Sequence, residues 1–297
     1  MNVLEFRDIH RAYKYGHDIL SGVSFSLRMG EVVGLLGRNG AGKTTLIRIA
    51  MGMIEPQKGE VRLFGMDPFK DPVKIKRKVG YVSEDQILPD YLRVEDVIDL
   101  HRSLYPDWDL VYEAQLVDRF SIDPRARIRS LSKGQARQVA LLCAVSHRPQ
   151  LLLLDEPAGG LDPAARREFL ETSIQMLNET GTTILFSSHY MSDVERLAER
   201  VVMIHDGGIF IDDPLDDLRE AYSLAAFPLG NGVDTTSLSA LPDCVAVRQR
   251  RDSIHAVFRL SADQTDARIL ELTGSDRIRS RSIPLEEMFI ELVGGQS

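Results

Sequence analysis

At 297 residues the chain is long enough for one main domain and a smaller second one. Hydrophobic residues make up 43% and charged residues 27%, an ordinary globular balance, and the net charge of −8 argues against a broad nucleic-acid-binding surface. The two cysteines give no disulfide framework, and no run of roughly 18 uncharged apolar residues is present to span a bilayer. The N-terminal MNVLEFRDIHRAY carries acids early and lacks a signal peptide's apolar stretch, so a cytoplasmic chain is expected.

Val3, Leu4, Glu5 and Phe6 alternate in polarity, as do residues Val23 to Leu27, and Glu31 to Leu36 is a short apolar run after the turn at Arg28, Met29 and Gly30. This opening third reads as strands. A helix pattern begins at Lys43 and runs through Leu46, Ile47, Ile49 and Ala50 to a stop near Gly52. From Asp85 to Arg129 the pattern is mostly helical, with apolar Val94, Val97, Ile98, Val111, Leu116, Val117 and Phe120. Residues 86–145 are expected to form a helical insert. Cys143, within QVALLCAVSH, reads as a small core residue rather than a nucleophile or ligand.

Leu151 to Leu154, Thr183 to Phe186 and Val201 to Ile204 are continuous apolar runs separated by helical stretches, the pattern of buried parallel strands in an α/β sheet. After about Leu215 the character changes. Val245 to Val247 and Ala256 to Phe258 read as a strand pair around Arg251 and Asp252. Pro284 opens a helix with Leu285, Met288, Phe289 and Leu292 at helical spacing. The expected division is 1–219 for the main domain and 220–297 for a small α+β appendage.

Gly37, Arg38, Asn39, Gly40, Ala41, Gly42, Lys43 and Thr44 follow a strand and open a helix, which is the context of a P-loop. Glycines let the loop turn its amides toward phosphate oxygens, and the helix adds its positive end. Lys43 is expected to bridge the terminal phosphates and the Thr44 hydroxyl to complete a Mg²⁺ shell. Asp155, at the end of a buried strand, is placed to hold Mg²⁺ through water, and Glu156 to polarise the water that attacks the γ-phosphate. His189 closes another strand of the same sheet, where it can donate to that phosphate or water. Ser132 and Gly134 head a further helix, after Leu131, whose amides and hydroxyl can bind a phosphate.

In order and spacing these segments resemble the ABC ATPase family over about residues 3 to 215. GRNGAGKTT, through Thr45, matches its Walker A, LSKGQ its signature, LLLLDEP its Walker B with catalytic glutamate, AGGLD its D-loop and SSH its switch-histidine loop. The resemblance implies an α/β fold with a RecA-like core, an N-terminal antiparallel β subdomain and a helical insert. It also implies ATP and Mg²⁺ as cofactors and two such domains meeting head to tail. Ser132, Gly134 and Gln135 of one subunit would cover the γ-phosphate held by Lys43 of the other, with Asp162 at the interface. An aromatic residue is expected to stack on adenine, either Tyr13 or Tyr15. Lys133 replaces the usual signature glycine. Glu84 falls where the Q-loop glutamine belongs and could contact Mg²⁺, with Gln86 close by as the other candidate.

The short insert and the closing LEEMFIELVGG resemble ATPases paired with separate export permeases of the drug- and peptide-efflux type. That implies ATP-powered export, a peripheral position on the cytoplasmic face of the membrane, and a permease helix received beside the Q-loop region. A soluble ABC ATPase acting on ribosomes or DNA is the alternative. Such proteins carry tandem ABC units or long coiled coils, which this sequence lacks, and no nucleic-acid partner is expected.

Overall fold

The computed structural model describes residues 1–13, 17–84, 88–178, 181–229, 233–273 and 278–293. The chain divides into two compact units, Met1–Asp212 and Asp213–Ser297. The break falls before the 219/220 division read from composition, because the helix around Leu218 belongs to the second unit.

In the first unit, β1 (Asn2–Tyr13) and β2 (His17–Arg28) form a long antiparallel pair, more extensive than the short alternating segments suggested. Leu4, Phe6 and Ile9 face inward, with Phe6 opposite Phe25 at 4.9 Å between ring centroids. The chain then runs through β3 (Val32–Leu36), α1 (Lys43–Ala50), β4 (Lys58–Leu63), α2 (Pro72–Lys76) and β5 (Val79–Val82). β4 pairs with the other side of β1, giving the antiparallel sheet β2-β1-β4.

The α-helices α3 (Val94–Leu104), α4 (Leu110–Arg119) and α5 (Lys133–Val145) follow, with a 3-10 turn at Ile128–Ser130 before α5. They form the helical insert, and Val94, Val97, Ile98, Leu116 and Phe120 are buried there as the spacing predicts. Val111 is exposed instead, because it lies on the outer side of α4, away from Tyr112 and Leu116, which are buried. Val139 to Val145 of α5 are buried without interruption. Cys143 is 2% exposed, and burial pushes its thiol up to about 12, as befits a core residue. Gly80 of β5 permits this packing, since a Cβ there would sit 2.3 Å from the Ala144 carbonyl oxygen.

The remainder is β6 (Leu151–Leu154), α6 (Pro163–Asn178), β7 (Thr183–Ser188), α7 (Met191–Leu197), β8 (Arg200–His205) and β9 (Gly208–Pro214). A six-stranded sheet runs β5-β6-β7-β3-β8-β9, parallel from β5 through β8. β3, β6 and β7 are buried along their whole length, which is why β3, β6 and the Ile184–Phe186 stretch of β7 are apolar without alternation. Leu154 pairs with Phe186 and Leu36 with Ser188, so the strand ends carrying Gly37, Asp155 and His189 share one edge of the sheet.

The second unit comprises α8 (Leu215–Ala221), β10 (Ser223–Pro228), α9 (Thr235–Ser239), β11 (Cys244–Gln249), β12 (Ser253–Phe258), α10 (Ala262–Thr273), β13 (Ser280–Ser282) and α11 (Leu285–Val293). Its antiparallel sheet has the order β11-β12-β10-β13, and Val247 pairs with Ala256 in the hairpin that the sequence suggested. Phe227, Ile254, Phe258 and Ile269 lie in its core. Leu285 and Met288 of α11 are buried; the Leu292 side chain lies outside the described residues. Among the described residues, no helix is long and apolar enough to cross a membrane.

Candidate functional site

The loop between β3 and α1 is set by Gly42, which caps α1 with φ 103°. That left-handed backbone favours glycine, and a Cβ would lie 2.6 Å from Leu20 Cδ2. The Lys43 ammonium folds back on the loop, donating to the Gly37 carbonyl at 2.8 Å and lying 3.3 Å from that of Arg38. Beside it is a cavity of ≈ 300 Å³ lined by every residue from Asn39 to Thr45, with Ile19, Glu84 and Glu156. Loop amides, the α1 N-terminus and one ammonium make this cavity suited to a polyphosphate.

Asp155 is almost fully buried where β6 ends. Its Oδ1 accepts hydrogen bonds from Thr44 Oγ1 at 3.0 Å and Ser187 Oγ at 2.9 Å. Burial pushes its carboxyl above the usual range, and these two donors work the other way. Among the described residues it has no ion-pair partner. Glu156 takes a left-handed backbone, φ 45°, that is costly for a non-glycine residue, and its N–H donates to Ser187 Oγ at 2.8 Å. Its Oε1 lies 3.3 Å from Lys43 Nζ and its Oε2 is 2.9 Å from His189 Nδ1. The structure thus brings together Lys43, Thr44, Asp155, Glu156 and His189.

A divalent cation fits beside Thr44 and Asp155 on the chemistry of the donors: a hydroxyl and a buried carboxylate, both hard oxygens. Among the described residues, no group of three or more His, Cys, Asp or Glu is placed to hold a metal alone. Phosphate oxygens and water would have to supply the other ligands.

Ser132, Gly134 and Gln135 line a separate cavity of ≈ 430 Å³. Ser132 caps α5 through a reciprocal pair: its Oγ accepts from Gln135 N at 3.2 Å, and its N–H donates to Gln135 Oε1 at 2.9 Å. Asp162 caps α6, its Oδ1 accepting from the amides of Ala164 and Ala165. The side chain of Glu84 is exposed and lines the phosphate cavity, while its carbonyl and that of Ser83 accept from the Arg137 guanidinium. Tyr13 ends β1 in an exposed position with the Arg11 guanidinium 5.5 Å from its ring, and it is not part of the cavity wall. Tyr15 and Gln86 lie outside the described residues. Ser187 and Arg137 escaped the sequence reading. Ser187 sits in the SSH segment, yet only the β6–β7 register shows that it faces Asp155.

Comparison with known proteins agrees with this geometry. The ABC transporter family matches residues 20–159. ABC transporter ATP-binding protein YtrB of Bacillus subtilis (strain 168) is 29% identical over 99% of both chains. ABC transporter ATP-binding protein NatA of the same organism is 35% identical over 73% of this chain and 88% of its own length. Nod factor export ATP-binding protein I of Neorhizobium galegae is 29% identical over 93% of this chain and 81% of its own. The dimeric structure of a post-hydrolysis state of the ATP-binding cassette MJ0796 bound to ADP and Pi shares the fold, with TM-score 0.63 and 22% identity over 71% of this chain and 98% of that one. A cradle for polyphosphate facing two acids and a histidine, on a chain so related, identifies the protein as a member of the ABC transporter ATP-binding family, in which ATP hydrolysis is coupled to transport.

Proposed function

We propose that this subunit powers export through a separate membrane permease, and that two ATPase subunits close head to tail around ATP. The export direction is supported by the name of the Nod factor export protein, and the paired arrangement by the dimeric state of MJ0796. Ser132, Gly134 and Gln135 line a cavity that shares no residue with the P-loop cavity, which supports an arrangement in which a second subunit brings them to the phosphate held by Lys43. Asp162, at the start of α6, would lie at that interface. The subunit would sit on the cytoplasmic face of the membrane through its permease, with the second unit, Asp213–Ser297, as an accessory domain.

In the proposed reaction the amides from Asn39 to Thr45 and Lys43 cradle the β- and γ-phosphates. Adenine would extend beyond the phosphate cavity, where Tyr13 or Tyr15 would stack on it. Thr44 and Asp155 would hold Mg²⁺, which neutralises phosphate charge, and Glu84 would approach it through water. Glu156 takes a proton from water as it attacks the γ-phosphate. His189, with Nδ1 bound to Glu156, presents Nε2 to the transferred phosphate, and the second subunit's signature helix adds its dipole.

The observation that carries this reading is the Glu156 carboxylate held between Lys43 at 3.3 Å and His189 at 2.9 Å. Glu156→Gln keeps the shape and removes the base. ATP turnover should fall about 100-fold or more, with ATP still bound. Wild-type turnover in that variant would overturn the assignment.

A further inference from the structure

We propose that Tyr190 is a positioning residue for His189, holding the imidazole by its face while Glu156 holds it by its edge. The proposal rests on the reading that His189 acts in hydrolysis.

The two rings lie 4.0 Å apart between centroids at an interplanar angle of 41°. Consecutive side chains in an extended strand point to opposite faces and do not touch. This contact exists because β7 ends at Ser188 and the chain turns, with the Tyr190 N–H donating to Ser188 Oγ at 3.0 Å. The Tyr190 ring is itself held. The Arg166 guanidinium lies 3.5 Å from its centroid, in cation–π contact. Arg166 in turn faces the buried carboxylate of Asp193, with Nε 3.4 Å from Oδ1, and Ser188 Oγ donates to Asp193 Oδ2 at 3.2 Å. Arg166 belongs to α6 and Asp193 to α7, so two helices fix the ring that touches His189.

A single hydrogen bond from Nδ1 to Glu156 leaves the imidazole free to swing about that bond. Contact on its face removes this freedom and sets the direction in which Nε2 points. Group placement matters steeply in a phosphoryl-transfer site, where catalysis is mostly positioning. Tyr190 itself is 42% exposed, so its substitution leaves the core intact. Its hydroxyl is not required by this argument; its ring is.

The test compares steady-state ATP hydrolysis by the intact protein, Tyr190→Phe, Tyr190→Leu, His189→Ala and the double variant. Tyr190→Phe keeps the ring and should stay within about twofold of wild type, whereas Tyr190→Leu should lose about tenfold in kcat, with KM for ATP within about twofold and Tm lowered by no more than about 4 °C for the lost cation–π contact. In the His189→Ala background, Tyr190→Leu should cause no further loss, because there is no imidazole left to orient. Wild-type kcat in Tyr190→Leu beside an inactive His189→Ala would overturn the proposal. So would a tenfold loss that persists when His189 is already absent. Wild-type turnover in His189→Ala would overturn the reading of His189, and this proposal with it.

Discussion

Ser187 holds Asp155 from the neighbouring strand: its hydroxyl donates to Asp155 Oδ1 at 2.9 Å, while the same oxygen accepts the Glu156 N–H at 2.8 Å. One side chain thus fixes the carboxylate proposed to hold Mg²⁺ and the backbone of the proposed base. The site is fully buried, so Ser187→Ala leaves a donor without a partner at Glu156 N and removes one of the two hydroxyls on Asp155. Urea unfolding should show a loss of about 1–3 kcal/mol, accompanied by a fall in kcat. Ser187→Thr should retain both. Unchanged stability and turnover in Ser187→Ala would show that the hydroxyl does not organise the site.

The ease of finding Asp155 and the difficulty of finding Ser187 have the same origin. A run of four leucines ending in Asp155 and Glu156 is visible in one dimension, because a strand buried on both faces is apolar throughout. Ser187 becomes meaningful only when Leu154 is paired with Phe186, and pairing is a long-range property. Arg137 is a similar case, 53 residues from the Glu84 carbonyl that it binds. The hairpin of β8 and β9 carries a local signal: Asp206 and Gly207 form a two-residue loop with φ 47° and 77°, a turn that favours Asp-Gly. In the second unit β13 spans three residues, too short for any periodicity to register, whereas β11 and β12 frame a visible turn. Tyr13 suited adenine stacking by its place in the sequence, but the structure leaves it off the cavity wall.

Arg137 joins the helix headed by Ser132 to the segment carrying Glu84. Its Nη1 donates to the Ser83 carbonyl at 2.7 Å and its Nη2 to that of Glu84. Arg137→Ala releases both carbonyls, and the Glu84 side chain on the cavity wall loses its fixed support. The expected result is a kcat lowered about 5- to 10-fold, and Arg137→Lys should recover only part of it, since an ammonium lacks the planar fork. Full recovery by lysine would show that charge alone matters there; wild-type kcat in Arg137→Ala would remove any role for the tether.

Gly42 and Gly40 separate backbone strain from steric exclusion. Both have positive φ, 103° and 85°, but a Cβ at Gly42 meets Leu20 Cδ2 at 2.6 Å and the Ile19 carbonyl at 3.1 Å, while none lies within 4 Å at Gly40. Gly40→Ala should cost about 1 kcal/mol through strain alone. Gly42→Ala should cost more and displace the start of α1, weakening ATP binding about tenfold or more. Thermal melts and titration with a fluorescent ATP analogue measure both effects. Equal losses in the two variants would refute the steric argument.

His147 links burial to acid sensitivity. It is 4% exposed and stacks on Tyr105 at 4.0 Å and 19°, and burial pushes its imidazole down from 6.5 to about 4, with the Val79 carbonyl opposing. Between those two values the unfolded chain takes up a proton that the folded chain refuses. The stability it contributes is therefore fully present above pH 6.5 and is lost as the pH falls toward 4, by up to about 3 kcal/mol. His147→Phe preserves an aromatic ring against Tyr105 and cannot titrate. Other acid-sensitive groups act in both proteins, so the informative quantity is the difference between their urea-unfolding free energies at each pH. That difference should shift in favour of the variant from pH 6.5 down to pH 4 and stay constant above pH 7. Parallel profiles across the whole range would mean that His147 is protonated as readily in the folded chain as in the unfolded one.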